Sequence, residues 1–393
     1  MNMMARKLFV AGAILWFIHP LLVHADRRPL NLLMVGNYFI ETHNVEEMIQ
    51  TMLNENQMIL QTDSIFAARF EEGGANLTHY ANAPGLAKMI RERSWTWVVL
   101  QEQSETPGYC EGKPEWQGVW NASLASVLQL NSMIQMNGAT TILFETWGYF
   151  DRDPYNEAFF PDYPTMQQRI THGYNIYQEQ ILANHPQAKV KIAPAGLAFQ
   201  RIYDSIVEKG EDPHAADSLF EKLYMTLEEY APSDGNIARK YPTLEGSYLC
   251  GCVLFQTLTG LDVRLSTFTP DGMDFQMRKL LQNIAYDTVV SFQKEGTSGE
   301  PNMSTYEYRT RAPYLPDEER GTSGGIRWIL AMVVIGGSGL IYVSRMARKW
   351  QWATRPWESV FGNQDYRWNP VCHEDVNMEL SDIASGSPNR TFA

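Results

Sequence analysis

Residues 31–43 read Asn-Leu-Leu-Met-Val-Gly-Asn-Tyr-Phe-Ile-Glu-Thr-His. Leu32, Leu33, Met34 and Val35 form a short apolar run of the kind a buried parallel strand carries. Gly36 and Asn37 turn the chain. Val45, Met48, Ile49, Met52 and Leu53 then recur at helical spacing, with Asn44 as the expected N-cap. A parallel α/β sheet binds its ligands at the carboxyl ends of its strands. Gly36, Asn37 and Tyr38 therefore stand where a nucleophile or an oxyanion donor would act. The hydroxyl offered there is a phenol with a reference pKa of about 10, a weak nucleophile at neutral pH. Its ring also fills space that an acyl group would need.

The remaining chemistry-bearing residues are scattered. Ser104 follows an apolar strand pattern but has no evident base in the sequence. His43, His79, His172, His185 and His214 show no spacing that suggests a metal pair, so neither a metal nor a cofactor is expected. The acidic pairs Glu71-Glu72, Glu228-Glu229 and Glu318-Glu319 read as solvated faces or loops. Trp147, Tyr149, Phe150, Tyr155, Phe159, Phe160 and Tyr163 cluster after a strand. Aromatic faces stack on sugars, so this cluster is either a glycan-binding surface or core packing.

Several blocks resemble, in order, those of the SGNH (GDSL-like) hydrolases, over roughly residues 30–262. Gly36-Asn37-Tyr38 is similar to the first block, with Tyr38 at the serine position. Gly73-Gly74-Ala75-Asn76-Leu77 fits the second, and the run from Val98 to Ser104 the third. Phe144 to Tyr149 and Pro194 to Phe199 resemble the segments after strands four and five. Gly246-Ser247-Tyr248-Leu249 resembles the helix that follows the family's Asp and His. The resemblance implies an oxyanion site built from the Tyr38 N–H, the Gly74 N–H and the amide of Gln101 or Gln103. It implies no surviving base. One alignment puts Tyr241 at the histidine and Ala238 at the aspartate; another keeps Asp234 but puts Ile237 at the histidine. Gly36, Asn37, Gly74, Gln101, Gln103, Ser104 and Trp147 are thus the expected cleft residues, and Tyr38, Asp234 and Tyr241 the positions equivalent to the triad.

Strand and helix patterns alternate along the chain. Strands are expected at 58–66, 95–100, 140–144 and 189–192. Helices are expected at 83–91, 119–136, 165–183, 198–208, 218–224, 244–258 and 273–292. Alternation of this kind predicts an α/β fold, a three-layer α/β/α sandwich around a parallel, flavodoxin-like sheet.

The ends add expectations of their own. Residues 1–25 have a basic start, an apolar stretch and a small-residue site before Asp26, the pattern of a signal peptide. Residues 26–293 form the expected lumenal or extracellular domain and 294–326 a stalk. Residues 327–344 are expected to cross the membrane once, because Arg345, Arg348 and Lys349 follow an uncharged apolar run. Residues 345–393 are expected to be a mostly disordered cytosolic tail. The chain carries a formal charge of −13, with its acidic excess before residue 326, which disfavours nucleic acid as a partner. Asn76, Asn121 and Asn302 head glycosylation sequons. Cys110, Cys250 and Cys252 allow one disulfide, expected between Cys110 and one of the other two.

These readings give a single-pass protein of the secretory pathway or plasma membrane. Its domain is expected to be a pseudohydrolase that binds glycans or acyl esters. The alternatives are an active esterase or deacetylase on O-acylated glycans or lipids with an atypical nucleophile, and a receptor or adhesion protein.

Overall fold

The structure, a computed structural model, describes residues 27–111, 114–230 and 238–297. Five strands form one sheet: β1 (Leu30–Gly36), β2 (Ile65–Glu71), β3 (Trp97–Leu100), β4 (Thr140–Phe144) and β5 (Val190–Ala193). Their order is β2-β1-β3-β4-β5 and every pairing is parallel. The helices are α1 (Tyr38–Glu41), α2 (Val45–Glu55), α3 (Gln57–Leu60), α4 (Leu77–Ala81), α5 (Pro84–Glu92), α6 (Gln117–Asn137), α7 (Tyr163–Asn184), α8 (Ala195–Val207), α9 (Leu227–Tyr230), α10 (Leu244–Thr259) and α11 (Phe275–Thr297).

Alternate strand residues face opposite sides of the sheet. Leu32, Met34, Val99, Ile142 and Phe144 pack with α2, α8, α10 and α11. Leu33, Val35, Val98, Leu100 and Leu143 pack with α4, α5, α6 and α7. Near-continuous apolar strands are thus covered on both faces, and the α/β sandwich expected from the alternation is present. Burying one such Leu or Ile side chain contributes roughly 1.5–3 kcal/mol, so the two cores hold the sheet ends in fixed positions.

The sequence patterns depart from the structure in a few places. The second strand lies at Ile65–Glu71, not at 58–66. Residues 57–60 instead make the single turn α3, with Gln61 at φ 52° ending it. Met58 and Ile59 are 75% and 61% exposed, so apolar type alone did not mark burial. Asn44 precedes α2 at φ 51° and makes no side-chain cap; its Oδ1 accepts from Arg69 Nη1 at 3.1 Å. The expected helix at 218–224 shrinks to a 3-10 turn at Glu221–Leu223. The last helix continues to Thr297, past the expected start of the stalk. Among the described residues no helix is long and apolar enough to cross a membrane; residues 1–25 and 327–344 lie outside them.

Candidate functional site

The carboxyl edge of the sheet brings four loops together: 36–38 after β1, 72–76 after β2, 101–105 after β3 and 145–149 after β4. The segment 238–242 before α10 joins them. Gly36 is required at the first turn, because a Cβ there would come 2.9 Å from Gln101 Cβ and 3.1 Å from Ile40 Cδ1. Gln101 is fully buried. Its Oε1 accepts from the Asn37 N–H at 2.8 Å, and its Nε2 donates to the Glu102 carbonyl. The Asn37 side chain accepts from Phe39 N at 3.3 Å and donates to Ala75 O at 3.0 Å. Asn37, not Asn44, is therefore the side-chain cap at this end of the strand.

Tyr80 closes the other side. Its buried hydroxyl donates to Gly36 O and accepts from Glu72 N at 2.7 Å. Glu102 takes the opposite face from Gln101, as strand parity requires. Its Oε1 accepts from Leu77 N at 3.0 Å and Gln103 N at 2.7 Å, while Ser123 donates to Oε2. Burial pushes the Glu102 carboxyl above its ordinary pKa. It ties the glycine loop to β3 and has no free edge for chemistry.

Tyr38, at the serine position of the family resemblance, faces Tyr241, which one of the two alignments puts at the histidine. The rings of Tyr38 and Tyr241 meet edge to face, with centroids 6.1 Å apart and planes at 81°. The Tyr38 ring lies over Gly73, where an added Cβ would be 2.6 Å from both Cζ and the hydroxyl. Gly74 has φ +74° and open space around its Cα, so the backbone there is exposed. Tyr241 also meets Phe39 edge-on at 5.8 Å. Trp147 is not a cleft residue. It is fully buried, stacked between Phe39 at 4.7 Å and Phe199 at 4.6 Å. Its Nε1 donates to Lys240 O at 3.0 Å, which fixes the main chain beside Tyr241. Asp234 lies outside the described residues.

Ser104 does have partners. Its Oγ donates to Glu105 Oε2 at 2.6 Å and lies 3.1 Å from the Tyr149 hydroxyl, which itself donates to Glu105 Oε2 at 2.7 Å. Gln103 Nε2 donates to Glu105 Oε1 at 3.2 Å. Lys240 stands above, with Nζ 5.1 Å from the Tyr149 ring centroid, 5.7 Å from that of Tyr241, and 3.5 Å from the Tyr149 hydroxyl. Burial alone would raise the Glu105 pKa, but the Lys240 ammonium and the Ser104 and Tyr149 hydroxyls outweigh it and hold it low. Tyr149 is pushed well above its ordinary value by burial and by the Glu105 charge. A carboxylate with a depressed pKa is a weak base, and a phenol with a raised pKa stays neutral. Nothing described beside Ser104 is poised to remove its proton, and only 4% of the residue is exposed.

The amides expected as oxyanion donors are turned to other work: Gln101 braces the Asn37 turn and Gln103 binds Glu105. Of the aromatic cluster, Trp147, Tyr149, Phe150, Phe159, Phe160 and Tyr163 are buried, and only Tyr155 is exposed, at 66%. The cluster is core packing, because those six rings lie within the two hydrophobic cores. His79 is exposed and pairs with Glu72 at 2.7 Å. His214 holds the Phe150 carbonyl at 3.0 Å. His185 meets Ser132 at 3.2 Å.

Cys250 and Cys252 are buried free thiols in one core, whereas Cys110 packs against the other face of the sheet. The structure does not bring Cys110 to either of them. Asn76 caps α4 through His79 N at 2.9 Å. Asn121 is exposed on α6 and accepts from Gln117 at 2.9 Å. Asn302 lies outside the described residues.

The signal in sequence for Glu105, Lys240 and Tyr149 was slight. Glu105 directly follows the third block, and Lys240 directly precedes Tyr241, but only the fold brings both to the Tyr149 hydroxyl.

No family model and no curated protein matches the chain. Solved structures to which it is similar are SGNH or GDSL-like hydrolases and related proteins. A DUF4886 family protein from Bacteroides uniformis is 16% identical, covering 67% of this chain and 95% of that one, with a TM-score of 0.48. A putative SGNH hydrolase from Slackia heliotrinireducens is 19% identical over 59% of this chain and 100% of that one, with a TM-score of 0.38. The psychrotrophic esterase EstA from Pseudoalteromonas sp. is 15% identical over 58% and 97%, with a TM-score of 0.33.

Proposed function

We propose that this domain is a non-hydrolytic member of the SGNH-like fold, a pseudohydrolase that binds ligands at the carboxyl edge of its sheet. The single observation that carries this reading is the edge-to-face contact of Tyr38 with Tyr241. Two bulky phenols pack together where an ester hydrolase needs a small nucleophile and an imidazole base. Gln101 and Gln103 support it, since an amide N–H of each is committed, one to Glu102 O and one to Glu105. An oxyanion site requires donors aimed at the developing charge before the reaction begins.

The apolar run at 328–344 and its basic flank support anchoring in a secretory-pathway or plasma membrane, with the domain on the lumenal or extracellular side. The alternative, an active esterase or deacetylase with an atypical nucleophile, draws on Ser104 and its 2.6 Å bond to Glu105. The depressed Glu105 pKa weighs against it.

The test exposes the purified full chain to p-nitrophenyl acetate and to a fluorophosphonate probe. The expected result is turnover equal to a matched blank and no covalent adduct. An adduct lost on Tyr38→Phe or Ser104→Ala would overturn the proposal.

A further inference from the structure

Lys240 lies beside the Tyr38–Tyr241 contact, and among the described residues the groups around it leave its hydrogen-bonding capacity largely unused. An ammonium has three donors. Among the described residues Lys240 Nζ makes one hydrogen bond, a long one of 3.5 Å to the Tyr149 hydroxyl. Among the described residues no carboxylate lies within ion-pair distance of it. Lys240 is the charge that lowers the Glu105 pKa most, and three other hydrogen bonds already reach that carboxylate. Ser104 and Tyr149 occupy Oε2, and Gln103 reaches Oε1. Lys240 therefore acts on Glu105 through its field and keeps its donors for something else.

Its main chain is held in place from several sides. The Lys240 carbonyl is held by Trp147 Nε1 at 3.0 Å. Neighbouring Arg239 is pinned by Glu221 at 2.9 Å and lies 4.1 Å over the Phe150 ring. The Tyr241 carbonyl accepts from Met225 N at 2.9 Å. Lys240, Tyr241 and Tyr38 are all only half-buried, and Gly73 and Gly74 beside them are exposed. The two tyrosine rings stand at 81° to each other and form a corner with the ammonium on one side.

We propose that this corner binds a small organic carboxylate. The anion bonds to Lys240 Nζ, and its body rests against the Tyr241 and Tyr38 rings. A charge-assisted N–H to carboxylate bond is about twice as strong as a neutral one. The rings supply apolar contact without requiring a particular polar pattern. The acidic chain repels polyanions, so a single negative charge, met at short range by one ammonium, is the anion the site accepts. This inference rests on the non-hydrolytic reading, in which the same corner is not needed for catalysis.

The experiment is a ligand-observed NMR titration of the full chain with benzoate, and with benzamide, which has the same shape without the charge. Benzoate is expected to bind about tenfold more tightly than benzamide. Lys240→Met is expected to erase that difference, and Lys240→Arg to keep it. Equal binding of the two probes, no binding of either, or a preference that survives Lys240→Met overturns the proposal. Sulfate competing as well as benzoate also overturns it, since the site would then take any anion. Should Lys240→Met fail to fold, the native chain supplies a second readout. Benzoate, and not benzamide, is expected to slow acetylation of Lys240 by an N-hydroxysuccinimide ester, mapped by peptide mass spectrometry; unchanged labelling overturns the proposal. Ester turnover is measured separately. Turnover would sink the non-hydrolytic reading, whereas absent benzoate binding with no turnover sinks only the carboxylate site.

Discussion

Tyr38 and Tyr241 come from opposite ends of the domain and meet with ring centroids 6.1 Å apart at 81°. Tyr38 opens the single turn α1, and Tyr241 sits two residues before the Thr243 cap of α10. Their contact joins the first and last blocks of the site across the sheet edge. Edge-to-face aromatic pairs contribute about 0.5–1.5 kcal/mol beyond area burial. A double-mutant cycle of Tyr38→Ala and Tyr241→Ala, read by urea unfolding, is expected to show coupling of about that size. Additive effects of the two substitutions would show that the contact contributes nothing.

Gly73 gives a sharper geometric test. Its backbone does not need a positive φ, so alanine is barred only by the Tyr38 ring, 2.6 Å from the new Cβ. Gly73→Ala should destabilise the fold by about 1–3 kcal/mol through overpacking. In the Tyr38→Ala background that penalty should largely vanish. A penalty that persists there would locate the strain elsewhere.

The central strands β1, β3 and β4 were legible because they are buried on both faces, so their residues are mostly apolar. Trp97–Leu100 and Thr140–Phe144 lie within or on the runs expected of them. β2 was missed by several residues because it is an edge strand, half-exposed along its length, and its apolar signal is no stronger than that of the exposed turn α3. The resemblance sets Tyr38 at the serine position and, in one of its two alignments, Tyr241 at the histidine, but it does not tell that the two rings touch. The role of Gln101 was open for a related reason. Strand parity placed it on the site side, yet parity cannot say whether an amide faces the cleft or braces the turn beneath it. The aromatic cluster after β4 looked like either a surface or a core, and only burial decided.

Gln101 should behave as a structural strut. Replacing it with methionine keeps most of the volume but leaves the Asn37 N–H without its 2.8 Å acceptor and the Glu102 carbonyl without its donor. An orphaned buried group costs about 1–3 kcal/mol. Gln101→Met should therefore lower the urea midpoint by a matching amount, with faster hydrogen exchange at the Asn37 amide. An unchanged midpoint would mean that water or a shifted side chain satisfies both groups.

Glu145 should make the fold lose stability as pH rises through the acid-to-neutral range. It follows β4, is fully buried, and accepts from Thr171 Oγ1 at 2.6 Å and Gln167 Nε2 at 3.1 Å, while Oε2 has no partner among the described residues. Burial pushes its pKa up to about 8, against the two hydrogen bonds that lower it. In the unfolded chain the same carboxyl ionises near 4.3. Between these values the unfolded state has released the proton and the folded state retains it, so rising pH favours unfolding. The stability that neutral Glu145 contributes is fully present below pH 4 and falls by about 1.4 kcal/mol for each pH unit across the window. Above about pH 8 both states are ionised and the loss levels off. Glu145→Gln keeps the acceptor for Thr171 and Gln167 and cannot ionise. The stability of the variant relative to the native chain should therefore climb with pH between 4.3 and 8 and stay flat outside that range. Parallel unfolding profiles across the window would show that Glu145 is already ionised in the fold.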